Sequence, residues 1–507
     1  MGLLQTAYAK LFLYDPYGET AMNPINRREF ISMAGAVAAG LMLPDLALAG
    51  NSGSSRPPNI VVILTDDLGY CDTNLYECRD VKTPNIHSIA ENGVSFTDAY
   101  VTASLCSPSR AGLMTGRYQN RFGFEHNAGG PLRAHKEHLG LPVSELTIAD
   151  HMKKADYATS CIGKWHLGSQ PEFYPTRRGF DEFFGFLPGA KLFIDPSLPG
   201  VINEPGFKFH AGAMFYKLLE FWQEEMSMMR GETLVEEPEY LTDAFTREAL
   251  DFIERKKNDP FFLYLSYNAP HTPLQTTQKY YDRFPHIKDE KKRIYAAMVS
   301  AVDDGVGKVL QKLKDTGIEE DTLVIFLSDN GCSLFTNACS KDPLREGKIW
   351  QLEGGLRVPF ALQYPGKIPA GQTYQHPVSS LDILPTAVNL AGGSLPGNIK
   401  FDGVDLIPYL TAQTHTAPHK RLFSRKGQIS TVRQGKWKLF RSEDNNWLFN
   451  LDEDVGEQKN LADKHPDKVK ELIRHLKTWE SEMVPPLWEP KKEREATLDD
   501  VPITICI

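Results

Sequence analysis

The chain has 507 residues, 41% apolar and 24% charged, with 56 Lys+Arg against 65 Asp+Glu. That balance supports a large buried core and excludes global disorder. The net charge of −9 lacks the basic stripe a nucleic-acid partner needs, and no apolar run reaches the roughly 18 residues of a stable membrane insertion.

In chain order, Asn26-Arg27-Arg28-Glu29-Phe30 opens an apolar stretch to Leu43, followed by Ala47-Leu48-Ala49. A charged segment, a short apolar segment and an A-x-A site make a cleavable export signal, and the Arg pair has the twin-arginine form. Residues 1–49 are therefore expected to be removed on export to the periplasm or medium, with 50–56 a Gly/Ser-rich linker. A first apolar run, Ile60 to Leu64, ends in Thr65-Asp66-Asp67. Further on, Ser107 is a candidate helix N-cap with Pro108 at the first helical position, which sets Cys106 at the positive end of that helix. A second run, Tyr157 to Ile162, precedes Gly163-Lys164-Trp165-His166. Residues 190–240 show no clear pattern and read as an insertion near the rim, the Met- and aromatic-containing stretch from Phe215 to Met229 being local core.

A helix is predicted from Thr242, as N-cap, to about Lys257. Phe261 to Leu265 then leads to Asn268-Ala269-Pro270-His271. A longer amphipathic helix, from about Glu290 to Lys314, stops at Gly317. Leu323 to Leu327 runs into Ser328-Asp329-Asn330-Gly331. Unbroken apolar runs of this length suit strands buried on both faces, and their alternation with helices predicts an α/β, mostly parallel sheet sandwiched by helices. Residues 57–400 form this catalytic domain. In 401–507 short strands with turn signals, a Gln434-Gly435 hairpin and a helix from Pro466 to Met483 predict a C-terminal antiparallel-sheet subdomain. Parallel strands share one carboxyl edge, where ligands bind. That edge collects Asp66, Asp67, Lys164, His166, His271, Asp329 and Asn330.

The motifs at that edge are C-x-P-S-R (Cys106 to Arg110), T-D-D, G-K-W-H, A-P-H-T-P, S-D-N-G and E-G-K-x-x-x-x-E-G-G-x-R-V-P, in this order except that T-D-D comes first. Together they resemble the formylglycine-dependent (type I) sulfatase family, to which arylsulfatases and N-acetylhexosamine sulfatases belong, with its alkaline-phosphatase-like fold. The resemblance spans Pro57 to the C-terminal sheet. It implies that a maturation enzyme oxidises Cys106 to formylglycine (3-oxoalanine), which works as its hydrate. One oxygen of the geminal diol attacks sulfur, and sulfate leaves as the other hydroxyl loses its proton and the aldehyde returns, a covalent route in two easier steps. Arg110 would orient the diol.

Asp66, Asp67, Asp329 and Asn330, with the modified Cys106, give an all-oxygen set that favours Ca²⁺ over Mg²⁺ or Zn²⁺. By resemblance His166 is the base that drives sulfate elimination, His271 and Lys348 contact the leaving oxygen, and Lys164 binds sulfate oxygens. The small hydroxyl residue expected after G-K-W-H has no match around Phe186-Leu187-Pro188-Gly189. Arg121, His126, Asn127, Arg177, Arg178 and His210 are read as surface groups rather than sugar contacts. The seven cysteines include two x6 pairs, Cys71/Cys78 and Cys332/Cys339, open to local bridges or to buried thiols, as are Cys161 and Cys506. The expected activity is sulfate-ester hydrolysis on a sulfated carbohydrate, by family analogy. The alternatives are a phosphonate or phosphate monoester hydrolase of the same superfamily and a silent, calcium-stabilised glycan-binding protein.

Overall fold

A computed structural model describes residues 56–76, 81–128, 138–206, 227–336, 338–340 and 342–506. The export signal, Cys78, His210 and most of the stretch from Phe215 to Met229 lie outside the described residues. Arg56–Ile507 is one compact unit.

Its centre is a ten-stranded sheet. The strands are β1 (Asn59–Thr65), β2 (Val94–Phe96), β3 (Ala158–Lys164), β4 (Glu182–Phe186), β5 (Met228–Arg230), β6 (Thr233–Val235), β7 (Phe261–Ser266), β8 (Thr322–Ser328), β9 (Phe360–Gln363) and β10 (Gln372–Tyr374). They lie in the order β10-β2-β9-β8-β1-β7-β3-β4-β5-β6. The middle five, β8 to β4, are parallel; β9 and β5 join them antiparallel. The apolar runs read from sequence are thus the central strands, and each is buried on both faces. The stretch after residue 190 supplies edge strands β5 and β6 and a short ribbon of Val201–Asn203 with Gln275–Thr277.

Alternation along β1 divides the core. Ile60, Val62 and Leu64 pack with α2 (Cys106–Thr115), α3 (Ile148–Lys154) and α6 (Ile383–Leu390). Val61 and Ile63 point the other way, to α1 (Pro84–Glu91), α4 (Leu241–Lys256) and α5 (Glu290–Asp315). The sheet is therefore sandwiched as the strand–helix alternation predicts. Two expected caps are displaced. Tyr240 precedes α4, and Thr242 lies in its first turn, where its carbonyl accepts the Thr246 hydroxyl at 2.8 Å. Leu105, extended at φ −137°, precedes α2, so Cys106 is already helical; the Ser107 hydroxyl donates to His166 O at 2.8 Å instead of capping.

The C-terminal part is a four-stranded antiparallel sheet, β11 (Leu422–Lys426), β12 (Ile429–Gln434), β13 (Trp437–Ser442) and β14 (Asn445–Asn450), with α7 (Pro466–Glu480). One face buries Leu472, Leu476 and Trp479 of α7 against Val432, Leu439 and Leu448. The other packs Ile429, Phe440 and Phe449 against Leu105 and Ile349. Those two residues adjoin Cys106 and Lys348, so this sheet buttresses the catalytic rim. A further hairpin, β15 (Glu493–Leu498) and β16 (Val501–Cys506), joins the same cluster. Among the described residues no helix is long and apolar enough to cross a membrane.

Candidate active site

Cys106 opens a helix all ten of whose residues are buried, so its backbone N–H groups face the interior rather than water. Its sulfur lies 3.9 Å from Asp67 Oδ1. Asp66 and Asp67 leave the end of β1 together. Asp67 takes a left-handed φ of 64°, an uncommon conformation for a residue with a side chain. Asp329 and Asn330 follow the neighbouring β8 at the same level: the Asp67 N–H donates to Asp329 Oδ1 at 3.3 Å, and Asn330 Nδ2 donates to Asp67 Oδ1 at 2.8 Å.

The cations interleave with these carboxylates. Lys164, at the end of β3, donates to Asp66 Oδ2 at 2.5 Å. Arg110, one turn into α2, gives Nε to Asp329 Oδ2 at 2.8 Å and Nη1 to Ser266 Oγ at 2.6 Å and Lys164 O at 3.0 Å. Lys348 Nζ lies 2.7 Å from Asp67 Oδ1, and His271 Nε2 lies 3.6 Å from Asp67 Oδ2. His271 Nδ1 is 2.6 Å from Thr272 O; a carbonyl only accepts, so Nδ1 carries the hydrogen. His166, at φ 60°, has its Nδ1 buried without a partner.

The geometry of Lys348 follows from glycines in two motifs. A Cβ on Gly331 would sit 1.7 Å from Gly354 O, and one on Gly355 would sit 2.0 Å from Trp350 O. The S-D-N-G and E-G-G turns therefore interlock only because neither carries a side chain there. Lys348 N donates to Cys332 O and Ile349 N to Ser104 O, both at 2.8 Å.

Charge and burial set the protonation states. Burial holds the Cys106 thiol far above the ordinary thiol range, and Asp66 adds to this, so the unmodified side chain is no thiolate. Burial, then Lys164 and Arg110, holds His166 well below the usual imidazole range; burial and Lys348 lower His271. Both are neutral imidazoles at pH 7. Burial opposes charge on Lys348, but Asp67 and the groups beside it outweigh that and keep the ammonium firmly protonated. For Asp66, burial is outweighed by Lys164 and the other cations, which hold its carboxyl well below the usual range. Burial and Asp66 push Asp329 up to about 7.

The donor set fits a hard cation. Asp66 Oδ1 and Asn330 Oδ1 are buried acceptors with no protein partner. Ligand atoms of Asp66, Asp67, Cys106 and His271 lie within 4.8 Å of one another. Asp66, Asp67 and Asp329 are balanced only by Arg110, Lys164 and Lys348, so a dication would add the positive excess that an anionic ester requires.

Every site residue read from the sequence falls in this constellation. The sequence reading passed over Ser266, which braces Arg110, and the cleft walls Glu204, Thr272, Lys291 and Phe335. It names Gly189 only for its segment's lack of a hydroxyl residue; a Cβ there would lie 2.5 Å from His166 Nε2, and the segment adjoins His166 through His166 N to Leu187 O at 2.9 Å. Of the groups read as surface, Arg177 is exposed and pairs with Glu232 at 2.7 Å, whereas Arg121 is paired to Asp402 at 2.7 Å and the buried Arg178 donates to Leu141 O at 2.6 Å. His126 is buried, and Asn127 lines the cleft while accepting Ser107 N–H at 3.2 Å. Cys332 and Cys339 form a disulfide, and Cys161 and Cys506 are buried thiols.

The family model described as Sulfatase matches residues 58–394, two thirds of the chain, and one described as N-sulphoglucosamine sulphohydrolase, C-terminal, matches 347–483. The chain belongs to the sulfatase family. This sulfatase is 34% identical to the N-acetylgalactosamine-6-sulfatase of Rattus norvegicus over 413 residues, covering 78% of this chain and 74% of the relative. It is 31% identical to arylsulfatase G of the same species over 493 residues, covering 86% and 89%. The crystal structure of Ps i-CgsB in complex with k-i-k-neocarrahexaose superposes with a TM-score of 0.77 at 34% identity, covering 85% of this chain and 95% of that one. The alkaline-phosphatase-like architecture and sulfate-ester hydrolysis follow with the family.

Proposed function

We propose that this sulfatase removes sulfate from a sulfated carbohydrate, with Cys106 converted to formylglycine and a calcium ion held by Asp66, Asp67, Asp329 and Asn330. The observation that carries the proposal is the environment of Cys106. Its thiol is buried among carboxylates and kept protonated, so the unmodified residue is a poor nucleophile, at the one position where Arg110, Lys164, His166, His271 and Lys348 converge. The hydrated aldehyde would supply a nucleophile that can also expel its sulfate adduct. The cation would supply charge stabilisation at that oxygen and at the ester, and the hard-oxygen set with its orphaned acceptors supports Ca²⁺ over softer-ligand metals.

The protein's own groups divide the remaining work. Arg110, locked between Asp329, Ser266 and Lys164 O one helical turn from position 106, would orient the diol there. Lys348 lines the cleft and Lys164 is buried on Asp66; both would act as fixed positive charges that stabilise negative charge on the ester oxygens. His166 is neutral, with a free ring nitrogen, as a base must be. Of the two groups expected at the leaving oxygen, Lys348 is the one that holds a proton at neutral pH, and His271 is neutral with Nδ1 committed to Thr272 O.

The sulfated-carbohydrate substrate is supported by the names of the relatives and by the sugar-bound structural neighbour. Export to the periplasm or medium is supported by the amino-terminal segment and by the Cys332–Cys339 bridge, since such bridges persist in oxidising compartments. A formylglycine-generating enzyme is then an obligatory maturation partner. The test is a panel of sulfated sugars, an aryl sulfate and matched phosphate and phosphonate esters, with the released anion quantified. Sulfate release from a sugar supports the proposal; phosphorus-ester turnover without sulfate release overturns it.

A further inference from the structure

The cleft over Lys348 and His271, about 460 Å³, does not end at the groups that would hold the ester. A second cavity of about 320 Å³ adjoins it, and Phe335, Lys348 and Ile349 line both. Phe335 stands 60% exposed, the only aromatic ring among the exposed large apolar side chains of the described residues. A lone exposed ring is ordinary, but this one lines both cavities where they meet at Lys348.

The ring is also held in place. It sits in the single turn Leu334–Thr336, inside the loop closed by the Cys332–Cys339 disulfide, with Thr336 Oγ1 donating to Ser333 O at 3.0 Å. Cys332 O in the same loop accepts the Lys348 N–H at 2.8 Å, so platform and catalytic lysine share one scaffold. Arg494 of β15, which also lines the second cavity, brings its guanidinium to 6.0 Å from the Phe335 ring centre. Glu346 and Glu495 line that second cavity, and Glu204 and Lys291 the first. An aromatic face for ring C–H groups, carboxylates to accept hydroxyls and a guanidinium for an anion are the complements of a charged sugar.

We propose that Phe335 and Arg494 form a second saccharide subsite. Phe335 stacks on the sugar next to the one that loses sulfate, and Arg494 binds an anionic substituent, sulfate or carboxylate, on that neighbour. The inference rests on the sulfated-carbohydrate reading and adds that an oligosaccharide with repeated anionic groups is preferred to a single sulfated sugar.

The test compares kcat/KM for sulfated monosaccharides and for hexasaccharides of chondroitin 6-sulfate, ι-carrageenan and heparin, with an aryl sulfate alongside. In the series that the wild-type protein turns over, the hexasaccharide is preferred at least tenfold. Phe335→Ala, through the lost stacking face, and Arg494→Ala, through one lost charge-assisted contact, each reduce that preference about tenfold, and Arg494→Lys restores part of it. Aryl-sulfate turnover by wild type together with a hexasaccharide preference that is absent, or unmoved in both variants, overturns the subsite alone. No sulfate release from any ester by converted wild-type protein overturns the earlier reading instead.

Discussion

Gly189→Ala places a methyl group where the structure has no room for it. The new Cβ would lie 2.5 Å from Nε2 and 2.6 Å from Cε1 of His166. Ordinary contact begins near 3.4 Å, so the ring must retreat by about 0.9 Å. His166 is only 7% exposed and is tied by backbone hydrogen bonds to Leu187 and Ser107, so it cannot swing into solvent. Misplacing a catalytic group by about 1 Å costs on the order of 10²-fold in rate. Gly189 itself is partly exposed and its φ is not in the left-handed region, so the fold should lose no more than about 1–3 kcal/mol. The assay is kcat and KM on an aryl sulfate or responding sugar, with Tm measured on the same preparations. We expect kcat to fall about a hundredfold with a small change in Tm. A variant with kcat within twofold of wild type would refute the placement of His166 as the base.

Three further outcomes follow from the geometry. Arg110→Met leaves Asp329 buried without its cation and should destabilise the protein by about 3–5 kcal/mol, read by urea denaturation, beyond abolishing activity. Burial pushes the Lys426 ammonium down to about 7, against the pull of Cys506 and Glu125. Between there and its usual value of 10.5 the unfolded chain binds a proton that the folded chain does not, so stability gained from this site rises with pH across that window; Lys426→Met should flatten the Tm-against-pH curve there. Chelation should remove activity and lower Tm, because the carboxylates at the rim lose their shared counter-charge, and Ca²⁺ should restore both; activity untouched by exhaustive chelation would exclude the metal.

The catalytic rim was legible because each buried strand is an unbroken apolar run that stops abruptly at its chemistry. Asp66, Lys164, His271 and Asp329 stand within a few residues of such ends, and parallel order brings them to one edge. What the sequence hides is whatever depends on packing between segments distant along the chain. Ser266 is one more small residue at the end of β7 until Arg110 is seen against it. Gly189 looks like loop punctuation, although its missing side chain makes room for His166. Strand β15 is mostly exposed, so it lacks the apolar run that marked the central strands, and with it Arg494 went unseen. The start of α2 was misplaced by two residues because Ser107, a good capping residue by type, spends its hydroxyl on His166 O.

The central claim is that position 106 acts only after modification. The direct measurement is sulfate release by preparations in which the converted fraction at Cys106 is determined by peptide mass, with Cys106→Ala alongside. Turnover should rise in proportion to the formylglycine fraction and be nil in Cys106→Ala. Equal sulfate release from protein that retains the Cys106 thiol would contradict it.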